Sequence, residues 1–435
     1  MAARTLPALH PAGIAAGVAL CAAGVAVAEW FLGPLLLRGG QSPEERTLAA
    51  VQRTLAEEYV EPRAPEWLLH RAVQGMVDGL HDPYTYFIEG DDGLRALQEE
   101  STGQLEGIGV RLDPARAQVR WPQPGGPAEA AGVQPGDIVV AVDGVPTDGM
   151  DPERLQSRIK GPAGSSVHLA LLRASGERLE VDVVRGAVPT GTVRQVEMLD
   201  PERGIATLQI SSFAASTPQE LDDALAALAT HGLRALVLDL RYNRGGVLTP
   251  AVATAARFLR GGVVCTLYSR GRAADTRRAD PSQSSAADLP VVVLLNGLSA
   301  SGSEVLAGAL RDYGAALLAG ERSYGKGVFQ QVFAYRQSRF GLKFTAGYYV
   351  TPGGRILEGH IDPERAGGLE PDLAVAAPAD VSEALAAWLL RHEDPPAKYR
   401  ERVFQLFPEL ERERRPPDPV LEVAVAHLKA VLQPA

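Results

Sequence analysis

A chain of 435 residues with 46% hydrophobic content can bury real cores, and its length fits about two to four domains. The formal net charge of −10 supplies no positive field for a nucleic-acid partner. Two cysteines cannot build a disulfide framework or a metal cage, and the eight scattered histidines contain no His-Glu-x-x-His pair of a zinc peptidase. No metal and no cofactor is therefore expected.

The chain opens as a targeting segment. Arg4 precedes an uncharged Ala-, Gly- and Val-rich run from Ala12 to Ala28, then Glu29 interrupts it before an apolar stretch reaching Leu37. Ala26-Val27-Ala28 fits the small-x-small cleavage site of an export signal. The whole stretch is also long enough to be a bilayer-spanning anchor. Either reading of residues 1–38, signal peptide or membrane anchor, puts the rest in the periplasm or cell envelope. Residues 41–100 read as a helical region: Ser42-Pro43-Glu44-Glu45 is a helix start, and Leu48, Val51, Leu55 and Val60 follow at near-helical spacing. His81-Asp82-Pro83-Tyr84-Thr85-Tyr86-Phe87 alone reads as an aromatic turn.

Three glycine-bearing segments come next: Gly107-Ile108-Gly109-Val110, then Gly125 to Val133, then the strand and turn Gly136 to Gly144. Glycines let backbone N–H groups converge on an anion, and an open sheet edge lets a peptide C-terminus add as a strand. Further on, Thr217-Pro218-Gln219-Glu220 reads as a capping box, with Leu221, Leu225 and Leu228 on one helix face and Gly232 as its stop. Ala235 to Leu240 is a buried strand leading into Asp239-Leu-Arg-Tyr-Asn-Arg-Gly245-Gly246. Cys265 reads as a buried small hydrophobe. Residues 272–288, polar and Ala/Ser-rich, read as a mobile surface loop.

The run Asn296-Gly-Leu-Ser-Ala-Ser-Gly-Ser-Glu304 is the most informative. It follows a short β-branched strand pattern (Leu289 to Asn296) and precedes a helical one (Val305 to Tyr313) that Gly314 ends. Ala315 to Ala319 reads as the next strand. Serines at such a turn stand where free helix N–H groups and the positive end of the helix dipole can hold an oxyanion. Beyond it lies Ser323-Tyr-Gly-Lys-Gly327, so a hydroxyl is matched with Lys326, the layout of a Ser-Lys hydrolase. Gly320 to Lys326 imitates a P-loop, but Gly327 stands where the magnesium-binding hydroxyl belongs, and a strand pattern follows instead of a helix. Nucleotide binding is rejected. His360 is better read as a turn residue than as a base.

These motifs resemble the carboxy-terminal processing (tail-specific) serine peptidases. The family's nucleophile motif looks like Ser-Ala-Ser-Ala-Ser-Glu, with a Gly-Lys-Gly lysine 25 residues after the central serine. Here Lys326 follows Ser301 by 25 positions (326 − 301), which selects Ser301 over Ser299 and Ser303. The resemblance implies Gln330 as the third catalytic residue. It further implies Gly302, Gly245 and Gly246 at the oxyanion hole, and Asp312 as a supporting aspartate. Departures are Gly302 for alanine, Tyr242 and Arg244 within the glycine turn, and Lys160 where the family often has the arginine of an Arg-Gly-x-x-Gly motif. Lysine lacks that arginine's bidentate fork. The Asp82-Pro83-Tyr84 segment is similar to one the family carries ahead of its PDZ domain.

The implied fold is α+β and multidomain. A helical region (41–100), a PDZ domain (104–187), a ClpP/crotonase-like layered α/β peptidase core (190–376) and a helical C-terminal region (377–435) follow one another. The C-terminal region has no role legible in the sequence. By the resemblance, Gly107, Ile108, Gly109 and Val110 bind the free, apolar C-termini of protein or peptide substrates. Membrane anchoring and a homo-oligomer are both compatible with this reading. The implied function is an exported serine endopeptidase; a catalytically silent PDZ scaffold of the cell envelope is the alternative.

Overall fold

The computed structural model describes residues 42–90, 93, 105–113, 116–188, 191–335, 340–361, 366–391, 395–412 and 414–433. The expected targeting segment lies outside these residues, and no described helix is long and apolar enough to cross a membrane. The chain divides into two compact units, one ending at Met76 and one starting at Val77.

The first unit carries α1 (Pro43–Glu58) and most of α2 (Pro65–Asp78). Ser42 caps α1 at the expected helix start, in a reciprocal box: its hydroxyl accepts from Glu45 N at 3.2 Å, and its own N–H donates to the Glu45 carboxylate at 2.8 Å. Leu48, Val51 and Leu55 form the predicted stripe and are exposed. The helical reading of 41–100 is interrupted beyond α2. Residues 82–85 form an aspartate-anchored turn, in which Asp82 accepts from Tyr84 N and Thr85 Oγ1, and β1 (Tyr86–Glu89) follows. This strand pairs with β18 (Phe340–Val350), and the segment belongs to the second unit.

The expected PDZ body starts with β2 (Leu105–Gly107), β3 (Val110–Asp113) and β4 (Gln118–Pro122). It continues through α3 (Pro127–Ala130), β5 (Ile138–Val142), β6 (Val145–Pro146) and α4 (Pro152–Ile159), then β7 (Ser166–Leu172), β8 (Arg178–Val184) and β9 (Gly186–Val188). Its sheet runs β3-β4-β5-β7-β8, so β3 lies at an edge. Near the Lys160 departure sits a buried arginine from elsewhere. Arg185 donates to the carbonyls of Ile159 and Arg158 at the C-terminal end of α4, where a cation suits the exposed carbonyls. A side chain at Gly161 would collide with it.

The largely parallel sheet runs β10 (Val193–Asp200), β11 (Ile205–Ile210), β12 (Ala235–Asp239), β15 (Val291–Leu295), β16 (Ala316–Gly320) and β19 (Leu373–Ala374), parallel from β11 onward. Strands β11, β12 and β15 are buried along their whole length because helices cover both faces. One face meets a core that includes Leu221, Ala251, Leu306 and Leu310, from α5 (Thr217–Thr230), α6 (Leu248–Phe258) and α7 (Gly302–Asp312). The other face, through Val237, Val292 and Leu294, meets α11 (Pro419–Val431). The second sheet holds β1, β18, β13 (Gly262–Ser269) and β14 (Asp275–Ala279), with β17 (Val328–Tyr335) also on β18. Residues 272–288 are therefore not all loop: β14 pairs with β13, and burial of Ala279 ties its end into the core. Nor does Glu220 close a capping box. It accepts instead from Thr192 and Val193 N, fastening α5 to β10.

The C-terminal region, unassigned from sequence, clamps this unit. Among its helices are α8 (Ala379–Arg391), α9 (Arg400–Leu406) and α10 (Pro408–Arg412). Val403 and Phe407 bury against Trp121 of the PDZ body, while Lys398 and Tyr399 bind Glu129. Those two partners and Gly125 N hold the Glu129 carboxyl at about 2, well below its usual range. Phe407→Ala is expected to loosen this attachment locally by about 3–5 kcal/mol, the usual cost of emptying a buried aromatic site. Hydrogen exchange should speed up across 399–410 and stay unchanged in β11, β12 and β15; equal rates in variant and parent would refute the local clamp.

Candidate active site

Ser301 sits between β15 and α7 with φ +56° and ψ −113°, a backbone state that non-glycine residues rarely occupy. Such strain persists only where neighbours over-determine it, and here they do. Its N–H donates to Glu304 at 2.8 Å. On one side, Ala300 N donates to Asn243 O at 3.0 Å. The flanking hydroxyls are spent on the adjacent turn: Ser299 Oγ donates to Leu240 O at 2.9 Å, and Ser303 Oγ to Asn243 O at 2.9 Å. Both those serines are fully buried, whereas Ser301 is only partly so.

The glycine turn is built to meet this strand-to-helix junction. Asn243 is buried and holds the turn through Nδ2 to Ile210 O and Oδ1 from Gly245 N, both at 2.8 Å. Gly245 has φ +103°, and a side chain there would stand 2.8 Å from Ser301 Cβ. Glycine is needed for that approach. The Gly245 N–H is given to Asn243, whereas Gly246 is exposed, and Gly302 takes the first helical position of α7.

Lys326 is partly buried on a loop gripped by two buried carboxylates. Glu304 accepts from Gly325 N at 2.7 Å and Lys326 N at 2.9 Å, and Glu358 accepts from Gly327 N at 3.0 Å. A side chain at Gly327 would collide with Glu358 N, which accounts for the glycine. Glu304 also accepts from Ser323 Oγ at 2.6 Å. Burial pushes the Glu304 carboxyl above its ordinary range, against the downward pull of the four hydrogen bonds it accepts. Sequence reading quoted Glu304 and gave it no role, although an acidic residue at the third helical position was a visible capping signal.

The Lys326 amine lies 5.2 Å from the centre of the Tyr84 ring, and Gln330 Nε2 donates to Tyr84 O. Tyr84, read from sequence as part of a bare aromatic turn, is thus the wall where both meet; Tyr324, two positions before the lysine, is exposed. Burial and the Glu358 charge hold the Tyr84 hydroxyl protonated far above its usual range. His360 stays a turn residue, its N–H donating to Glu358 at 2.6 Å. Asp312 is not brought to the site. It lies exposed at the far end of α7, about 16 Å from Ser301 at 1.5 Å per residue, and accepts from Gly353 N at 2.8 Å. Cys265 is buried, and burial pushes its thiol up to about 12.

At the PDZ end, Ile108 is buried, its carbonyl accepting from Ala128 N at 2.7 Å and that of Gly109 from Gln123 N at 2.8 Å. A planar trans peptide then turns the N–H groups of Gly109 and Val110 the opposite way. Gly109, with φ +71°, permits the bend, and Val110 opens the edge strand β3.

Comparison with known proteins agrees with this geometry. The family described as Peptidase family S41 matches residues 204–375, and a PDZ domain matches 118–173. A protein named "Probable CtpA-like serine protease" from Staphylococcus haemolyticus is 30% identical over 368 residues, covering 83% of this chain and 71% of that protein. Its namesake from Staphylococcus saprophyticus is 30% identical over 358 residues, covering 82% and 70%. The solved photosystem II D1 C-terminal processing protease is 30% identical, covers 77% of this chain and 87% of its own, and superposes with a TM-score of 0.46. The chain belongs to peptidase family S41: it is a serine peptidase with a PDZ domain, similar to the CtpA-like proteases.

Ser299→Ala and Ser303→Ala should each lower stability by about 0.5–1.5 kcal/mol, the net worth of one buried hydrogen bond whose carbonyl keeps a second donor, and keep measurable peptide cleavage. Thermal unfolding and kcat/KM on one peptide check this; abolition of cleavage in either variant would contradict the tethering role.

Proposed function

We propose that this chain is an exported endopeptidase that captures the free C-termini of proteins on its PDZ domain and cleaves by a Ser301–Lys326 mechanism. The observation that carries the reading is the strained, partly accessible Ser301 between two serines whose hydroxyls are already committed. Ser301 Oγ attacks the scissile carbonyl and its proton passes to a neutral Lys326. The N–H groups of Gly302 and Gly246 receive the oxyanion, with Gly245 supporting them. Collapse expels the amine, which takes the proton back from Lys326. Water then attacks the acyl-enzyme with the same lysine as base. Gln330 gives its amide N–H to Tyr84 O, which turns its own oxygen toward accepting from the lysine without adding a negative charge. Residues 1–38 direct export, and Gly107 to Val110 receive the substrate's carboxylate and apolar last side chain.

Ser301→Ala should abolish cleavage and leave the fold intact. Lys326→Arg should do the same, because guanidinium stays protonated. For the native protein, kcat/KM should rise with pH as a lysine, protonated in water up to about pH 10.4, gives up its proton. Cleavage by Lys326→Arg, or activity that falls as pH rises from 6 to 9, would sink the dyad.

Capture is tested separately. Native protein should cleave free-acid peptides with apolar C-termini faster than their C-terminal amides, and Val110→Asp should remove most of that difference. Equal rates on acid and amide by the native protein would refute capture through the terminal carboxylate.

A further inference from the structure

The S41 match ends at residue 375, yet the residue that anchors the glycine turn lies well past it. Arg241, 3% exposed, stands four positions before Gly245. Its guanidinium forks onto Asp418, NH1 to Oδ1 at 2.8 Å and NH2 to Oδ2 at 2.7 Å. On its other side Nε meets Asp239 at 3.0 Å. Arg415 closes the cluster, 3.4 Å from each aspartate, and lies 5.3 Å from the centre of the Trp388 ring. Asp418 also accepts from Leu421 N at 3.1 Å, so the same carboxylate caps α11 and grips Arg241.

The turn beyond Arg241 has three residues at positive φ: Tyr242 (+63°), Gly245 (+103°) and Gly246 (+143°). A turn so far from relaxed geometry holds its shape through external anchors. Asn296 holds the Tyr242 N–H at 3.0 Å, and Asn243 ties the middle. At the entrance, the Arg241 side chain is fixed by the two aspartates alone. Removing Asp418 would leave half of a buried guanidinium fork without a partner, a state that reorganises instead of persisting.

We propose that Asp418 is a positioning residue for the oxyanion turn: acting through Arg241, it sets where the Gly246 N–H points, so the C-terminal region contributes to the chemistry of Ser301. This rests on the reading of the glycine turn as an oxyanion site.

The test compares Asp418→Asn with Leu428→Ala in the full chain. Asparagine still caps α11 but loses the charge and one fork acceptor. Leu428, buried under the sheet, stands ten positions after Asp418, about 15 Å along the helix axis at 1.5 Å per residue, so its loss reports on α11 packing. Asp418→Asn should lower kcat by on the order of tenfold to a hundredfold, short of the ~10²–10³ for deleting an oxyanion donor outright. KM should stay within about twofold and the pH profile should not move, since neither the peptide site nor Lys326 is altered. Leu428→Ala should lose thermal stability and keep parental kcat. Parental kcat in Asp418→Asn overturns the proposal, and so does an equal loss of kcat in both variants, which would make packing the cause. Should Asp418→Asn fail to fold, Asp418→Glu keeps charge and cap but moves the fork by one methylene; it should fold and lose kcat, and parental kcat there overturns the proposal too. Ser301→Ala run alongside separates the two levels. If it still cleaves, the reading of the site is wrong; if it is dead while Asp418→Asn is fully active, only the role of Asp418 fails.

Discussion

One buried carboxylate holds the two halves of the active site together. Glu304 sits inside the fold with no access to solvent and receives hydrogen bonds from Ser301 N, Ser323 Oγ, Gly325 N and Lys326 N. The first belongs to the helix that presents the serine; the other three belong to the loop that presents the lysine. Taking a carboxylate out of water is expensive, and only a full set of donors offsets it. The requirement works in both directions: the loop must close on the helix to satisfy Glu304, so neither segment has another low-energy place to go. The segments that carry Ser301 and Lys326 are thus fixed to each other through backbone groups.

A second set of ties fixes the glycine turn against the same junction. Ser299, Ala300 and Ser303 bond Leu240 and Asn243 from one side, while Arg241 is gripped from beneath by Asp418. Burial alone would raise the Asp418 carboxyl, but the Arg241 and Arg415 charges hold it below its ordinary range. The Arg241 charge survives its burial for the matching reason, two carboxylates within bonding distance. A charged cluster of this kind is a costly foundation and a directional one: unlike apolar packing, it fixes an orientation.

Much of this was legible in the chain. The strand-turn-helix order around Ser301, the apolar runs of β12 and β15, and the Ser42 cap are local patterns, and local physics decides them. The Gly-Lys-Gly spacing was equally visible, though its reason was not: Gly327 is glycine because Glu358 lies against it. What stayed hidden depends on partners remote in sequence. Tyr84 meets Lys326 and Gln330 across more than two hundred residues, and Asp418 meets Arg241 across 177. Strand β14 was read as loop because Asp-Thr-Arg-Arg on an edge carries no apolar alternation. Asp312 was assigned by analogy of position, and helix geometry sends it to the wrong end.

The cluster under the glycine turn also has a meaning in time. A ribosome makes Ser301 and Lys326 well before it makes Asp418, so a growing chain carries both through a period when Arg241 lacks one of its two anchors. Peptide-bond chemistry beside unfolded nascent segments would be self-destructive. On the proposed role of Asp418, the glycine turn is completed by a helix translated more than ninety residues after Lys326, so the proposed site stays unfinished until the sheet has been covered on both faces.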